Sequence, residues 1–283
     1  MTGRHVLPWI MWLVLQAGGL PAEEPKVPVG RIVQRSYDFR EAGKKMKYSL
    51  YLPRSYTSDK AFPLVVALHG LGSSDREIIR YPRFTRNAEK HGYIIVAPMG
   101  YNSRGWYGMR GRGGGGRRDP KNLGELSEKD VMNVLAIVRK EFTIDNDRIY
   151  LMGHSMGGGG TLHLGIKYPR IWAALAPLAP ACPRSTAGLK KIPDMPVIVV
   201  QGDKDFLVYG TRRWVAAMKR LKMECKYIEV KGGGHVDVAY RYFPQLFDFF
   251  NTHTRKTRKK TGPAVSPKSP PGKPAEDKDT DDC

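Results

Sequence analysis

Ile149 to Gly160 reads IYLMGHSMGGGG. A short apolar run ends at Met152, Gly153-His154-Ser155-Met156-Gly157 follows, and a helical pattern begins after it. That order is strand, tight turn, helix, with Ser155 at the apex. Such a turn puts the serine in a strained backbone conformation. It also needs small residues two positions to either side, because side chains there would strike the adjoining strand and helix. The Ser155 hydroxyl is thereby raised at the carboxyl edge of a sheet. The bare G-x-S-x-G string also occurs in plain glycine-rich connections, and its meaning here comes from the strand and helix that flank it.

Working outward, the runs Leu64–Leu68 and Tyr93–Ala97 are continuously apolar, as expected of strands buried on both faces. Residues 31–39 and 45–52 form a hairpin at one edge, with a turn at Glu41-Ala42-Gly43. Downstream, strands are expected at 172–179, 197–200 and 226–230, with helices at 127–141, 161–168, 209–221 and 239–253. Ser127 and Asp130 have the spacing of a capping box for the first of these helices. Strands alternating with helices predict an α/β fold: a mainly parallel central sheet of about eight strands with helices on both faces. The segment 182–195 between the sixth and seventh strands is too short for a large lid domain.

A serine hydroxyl is a weak nucleophile and needs a base, an acid that orients the base, and donors for an oxyanion. Each has a candidate at a strand end. The base is His235, in Lys231-Gly232-Gly233-Gly234-His235; His253 falls in the last helix. For the acid, Asp203 and Asp205 compete in Gln201-Gly202-Asp203-Lys204-Asp205. Asp205 is preferred because the following residues let the loop fold back toward the histidine, leaving Asp203 to cap the turn. The oxyanion donors are the backbone N–H groups of Met156, at the start of the helix, and Leu71, in His69-Gly70-Leu71-Gly72. His69 is expected to order that turn. His69, His154, His163 and His235 lack zinc-ligand spacing, so no metal is expected, and chemistry by serine, base and acid requires no organic cofactor.

Of the 283 residues, 41% are hydrophobic, enough for one large domain with a sizeable core. Residues 1–22 read as an export signal: Arg4, an apolar stretch 6–15 too short to span a membrane, and cleavage after Ala22. The catalytic domain is expected over 23–254. A basic, Pro-rich, disordered tail is expected over 255–283, where apolar periodicity ends. Three cysteines, at 182, 225 and 283, suggest no disulfide framework. The net charge of +20 favours anionic partners or electrostatic attachment to an anionic surface through the body and tail. No recognition motif for nucleic acid accompanies it.

The strings LHGLG, GHSMGG, QGDKDFLV and GGGH, in that order, resemble the α/β-hydrolase superfamily. Within it they are similar to the secreted esterases grouped with polyhydroxybutyrate depolymerases and feruloyl esterases. The resemblance covers about residues 45–251 and implies a Ser155-Asp205-His235 triad cleaving carboxylic esters, polymer-, sugar- or phenolic-linked. Prolyl-oligopeptidase-type peptidases share the motif set, and an exported non-catalytic module that binds anionic polymer is the alternative outside enzymes. The loop 101–118 leaves the fourth strand at the edge where Ser155 emerges. Trp106 and Tyr107 are therefore expected to form a platform for a sugar or phenolic ring, and Arg104, Arg110 and Arg112 to attract a substrate carboxylate.

Overall fold

The computed structural model describes residues 27–111 and 115–258. The expected export signal, Arg112, Cys283 and the tail from residue 259 lie outside them. Eight strands form one sheet: β1 (Ile32–Phe39), β2 (Lys44–Tyr51), β3 (Phe62–Leu68), β4 (Ile94–Pro98), β5 (Ile144–His154), β6 (Ala174–Leu178), β7 (Val197–Gly202) and β8 (Cys225–Val230). Their order is β1-β2-β4-β3-β5-β6-β7-β8. The β1–β2 and β2–β4 pairs are antiparallel, and every pair from β4 onward is parallel. The parallel strands β3, β4, β5, β7 and β8 therefore end on one edge. Their exit loops carry the candidate residues.

Every residue of β3 is buried, as its unbroken apolar run requires, and alternate side chains serve two layers. Leu64, Val66 and Leu68 join the core formed with α3 (Leu123–Glu141), α4 (Met156–Lys167) and α5 (Val208–Arg220). Val65 and Ala67 face the opposite layer, with α1 (Asp75–Ile78), α2 (Phe84–His91), α6 (Val238–Arg241) and α7 (Phe243–Asn251). There the Phe84 and Phe243 rings stack at 4.6 Å and pin α2 to α7. The helix expected over 239–253 is broken at Tyr242, because Pro244 has no N–H to donate to the carbonyl of Tyr240 and its ring crowds that group, so a new helix, α7, opens at Phe243.

Two further expectations are corrected. Helix α3 starts at Leu123, a turn before the supposed capping box, so Ser127 and Asp130 lie inside it and are buried. Both bind backbone elsewhere. Ser127 Oγ accepts the Tyr107 N–H at 3.1 Å, while Asp130 Oδ2 accepts the N–H groups of Gly100 (2.6 Å) and Tyr101 (3.3 Å) and Oδ1 the Tyr37 hydroxyl (2.6 Å). The pair thus ties down the loop leaving β4. Burial pushes the Asp130 carboxyl up to about 6. The ordered chain also runs past residue 254: Arg255 and Lys256 pair with Asp147 (3.1 and 2.8 Å), and Arg258 pairs with Asp194 at 2.9 Å. Cys182 and Cys225 are free and half-buried. No helix among the described residues is long and apolar enough to cross a membrane.

Candidate active site

Ser155 sits between β5 and α4 with φ 57° and ψ −115°, a strained conformation for a residue with a side chain. The flanking glycines allow it. A Cβ on Gly153 would lie 2.3 Å from Gly157 O, and one on Gly157 would lie 2.1 Å from Leu68 O. The Ser155 N–H donates to Leu178 O at 2.9 Å, and its carbonyl accepts from Gly159 and Ala181. Its Oγ has no hydrogen-bond partner among the described residues and faces a cleft.

Asp205 follows β7 and is buried. Its Oδ2 accepts from His235 Nδ1 at 2.8 Å and from Gln201 Nε2 at 2.7 Å, and its Oδ1 accepts the Leu207 N–H at 2.9 Å. Gln201 is fixed in turn by the Thr211 hydroxyl, 2.7 Å from Oε1. A carboxylate so placed holds the His235 proton on Nδ1 and leaves the Nε2 lone pair free. Asp203 is spent otherwise: Oδ1 accepts the Gly232 N–H at 2.8 Å, tying the exit of β7 to that of β8. The leg between His235 and Ser155 Oγ is open as a hydrogen bond. Such legs are often loose until substrate binds.

His154 contributes something its place in the motif does not disclose. Its Nε2–H donates to the His235 carbonyl at 2.9 Å, its Nδ1 accepts the Tyr81 hydroxyl at 2.8 Å, and its ring lies 4.9 Å from that of His235. Tyr81 and His154 thus brace the loop that carries the candidate base. Burial, ahead of the nearby His235, holds His154 at about 4. Between pH 6.5 and 4 the unfolded chain binds the extra proton and the folded one does not. His154 therefore contributes stability above pH 6.5 that is lost as pH falls to 4, about 3 kcal/mol in all. Asp130, whose carboxyl is raised, acts in the opposite sense over part of this range, so the effect is read as a difference. Thermal unfolding of His154→Asn should show a shallower loss of midpoint on acidification than the parent; parallel curves would refute the assignment.

At the end of β3, the buried His69 places Nδ1 2.8 Å from Gly70 O and Nε2 2.8 Å from Met99 O, spanning the turn and the exit of β4. The turn abuts the serine: a Cβ on Gly70 would lie 3.5 Å from Ser155 Cβ. The Leu71 N–H has no partner among the described residues, and Met156 opens α4, where N–H groups lack partners within the helix. No group of three or more His, Cys, Asp or Glu side chains among the described residues could hold a metal ion.

Ser155 opens into a cleft of about 1010 Å³ lined also by Leu71, Trp106, Arg110, Arg184 and Phe206. Of the residues expected to meet substrate, Trp106 and Arg110 are there, with the Arg110 guanidinium 3.5 Å over the indole. Tyr107 is not: it is fully buried and donates its hydroxyl to His69 O at 3.1 Å, which makes it an anchor for the turn. Arg104 is also removed, its Nε 2.8 Å from Asp119 Oδ2. Arg112 lies outside the described residues. Sequence reasoning missed Arg184 and Phe206. Phe206, next to Asp205, could have been found from that adjacency; Arg184 carries no local signal.

Comparison with known proteins places this arrangement. The Esterase family model matches residues 40–222. The chain is 31% identical to S-formylglutathione hydrolase of Rattus norvegicus over 149 residues, 49% of this chain and 52% of that protein. It is 28% identical to feruloyl esterase B of Neurospora crassa over 138 residues, 47% of this chain and 44% of that one. The chain spans about half the length of these relatives. Among solved structures, an S-formylglutathione hydrolase from Staphylococcus aureus superposes with a TM-score of 0.65 at 18% identity, covering 79% of this chain and 99% of that one. A ferulic acid esterase from Anaeromyces mucronatus gives 0.65 at 18% identity, covering 82% and 93%. The strand order, the strained serine turn and the match across residues 40–222 together make this chain a member of the Esterase family, with the α/β-hydrolase fold.

Proposed function

We propose that the protein hydrolyses carboxylic esters through an acyl-enzyme formed on Ser155. The strongest support is the pairing of His235 Nδ1 with the buried Asp205 carboxylate at 2.8 Å, on the loops beside the cleft into which Ser155 opens. His235 Nε2 takes the Ser155 proton as Oγ attacks the ester carbonyl, and the N–H groups of Leu71 and Met156 receive the oxyanion. The same nitrogen then protonates the departing alcohol. Water enters, gives its proton to Nε2 and attacks the acyl group, and Ser155 leaves with that proton restored. Asp205 keeps the imidazole in the useful tautomer and stabilises it when charged. An export signal over residues 1–22 would deliver the enzyme outside the cytoplasm.

The assignment of the acid is tested with p-nitrophenyl butyrate. Asp205→Asn should lower kcat by about 10⁴-fold, because the amide imposes the wrong tautomer on the histidine. Asp203→Asn should stay within about tenfold of the parent, since it disturbs only a turn. Equal losses would remove Asp205 from the mechanism. A p-nitroanilide peptide run alongside separates esterase from peptidase: faster amide than ester turnover would reject the ester reading.

A further inference from the structure

We propose that the cleft selects esters bearing a free carboxylate, which is gripped between the guanidinium groups of Arg110 and Arg184. This rests on the ester-hydrolase reading and names the substrate class of that site. Both arginines line the same cleft as Ser155, and no acidic side chain among the described residues does. With a net charge of +20, unpaired arginines are expected over much of the surface, so their position is what distinguishes these two. Arg35, Arg104, Arg212, Arg255 and Arg258 each face a carboxylate on the protein. Arg110 and Arg184 have none among the described residues.

Arg110 is also held in place. It stacks on Trp106, which is itself buried and, like Tyr107, takes left-handed backbone (φ 55° and 51°). Two adjacent bulky residues in that region are costly, and the buried Tyr107 anchor shows what sustains them. The result is a guanidinium oriented before any ligand arrives. Burial and the neighbouring Arg184 both bear against the charge on Arg110, a repulsion that a bound anion would relieve. The same cleft is lined by Leu71 and Phe206, large apolar side chains left 58% and 77% exposed. Exposed apolar surface beside paired cations suits an amphiphilic substrate with an alkyl or aryl body and a carboxylate at one end.

The carboxylate could sit in the acyl half or the alcohol half, and two matched pairs of esters distinguish these. Mono-p-nitrophenyl glutarate against p-nitrophenyl pentanoate places the charge in the acyl half; 4-acetoxybenzoate against its methyl ester places it in the leaving half. The wild-type protein should prefer the acidic member of one pair by about tenfold in kcat/KM, a modest factor because both guanidiniums are solvent-exposed. That ratio should fall to about one in Arg110→Gln/Arg184→Gln, fall likewise in Arg184→Glu, whose carboxylate would neutralise Arg110, and persist in Arg104→Gln, whose side chain is paired outside the cleft. Wild-type turnover without preference in either pair would overturn the carboxylate proposal while leaving the ester reading intact. A preference that survives the double substitution would overturn it too, by assigning the selectivity to the overall positive field. Failure to turn over any of the four esters would instead strike the ester reading itself.

Discussion

Ser155→Ala should lower kcat on p-nitrophenyl butyrate by about 10⁶-fold, the scale on which members of a serine triad act as a unit. The structure makes this substitution unusually clean. Ser155 Oγ has no hydrogen bond among the described residues, so its removal breaks nothing in the fold. Alanine keeps the Cβ, and the strain of φ 57° and ψ −115° is common to both residues. The thermal midpoint should therefore stay where it was. Adding His235→Ala to the variant should cost little more, since a base has no function without its nucleophile. Whatever activity remains would come from binding and from the N–H groups of Leu71 and Met156. Turnover within tenfold of the parent would show that Ser155 is not the nucleophile.

The features legible in the sequence share one physical cause. A parallel strand buried on both faces is a continuous apolar run, and every such strand delivers its next residues to the same edge of the sheet. Finding the buried runs of β3, β5 and β7, and the partly exposed edge strand β8 by its apolar residues interspersed with charged ones, therefore also located His69-Gly70-Leu71, Ser155, Asp205 and His235. The choice of Asp205 over Asp203 could be argued for the same reason, since loop length decided which carboxylate could turn back. What was not legible depends on tertiary partners. Ser127 and Asp130 have a helix-cap spacing, yet they bind the backbone of the β4 exit loop from inside α3. Trp106 and Tyr107 are adjacent aromatics with opposite fates, one lining the cleft and the other sealed beneath it. Arg104 is taken up by Asp119 while Arg110 stacks on Trp106 in the cleft, and Arg184 enters the cleft from a distant connection. Composition likewise placed the end of the folded body before Arg255, whereas Asp147 and Asp194 hold the chain to Arg258.

Gly157→Ala should be the most damaging single-methyl change in the elbow, for both stability and catalysis. The added Cβ would stand 2.1 Å from Leu68 O, 2.5 Å from Leu68 C and 2.7 Å from His69 O. All three are backbone atoms, and Leu68 ends β3, which is hydrogen-bonded between β4 and β5. No side chain can rotate away to make room. Overpacking against fixed backbone should cost about 3 kcal/mol or more, a fall in midpoint of roughly 10 °C for a chain of this size. If the protein instead yields locally, the easiest motion moves the His69-Gly70-Leu71 turn away from α4. That withdraws the Leu71 N–H from the oxyanion and should cost about 10²- to 10³-fold in kcat. Gly43→Ala separates steric from conformational cost. Gly43 has positive φ (60°), which Gly157 inside α4 does not, but a Cβ there meets nothing within 4 Å. That change should cost only about 1 kcal/mol and leave kcat alone. A Gly157→Ala effect no larger than that of Gly43→Ala on both midpoint and kcat would mean that the contact between α4 and the end of β3 does not set the geometry around Ser155.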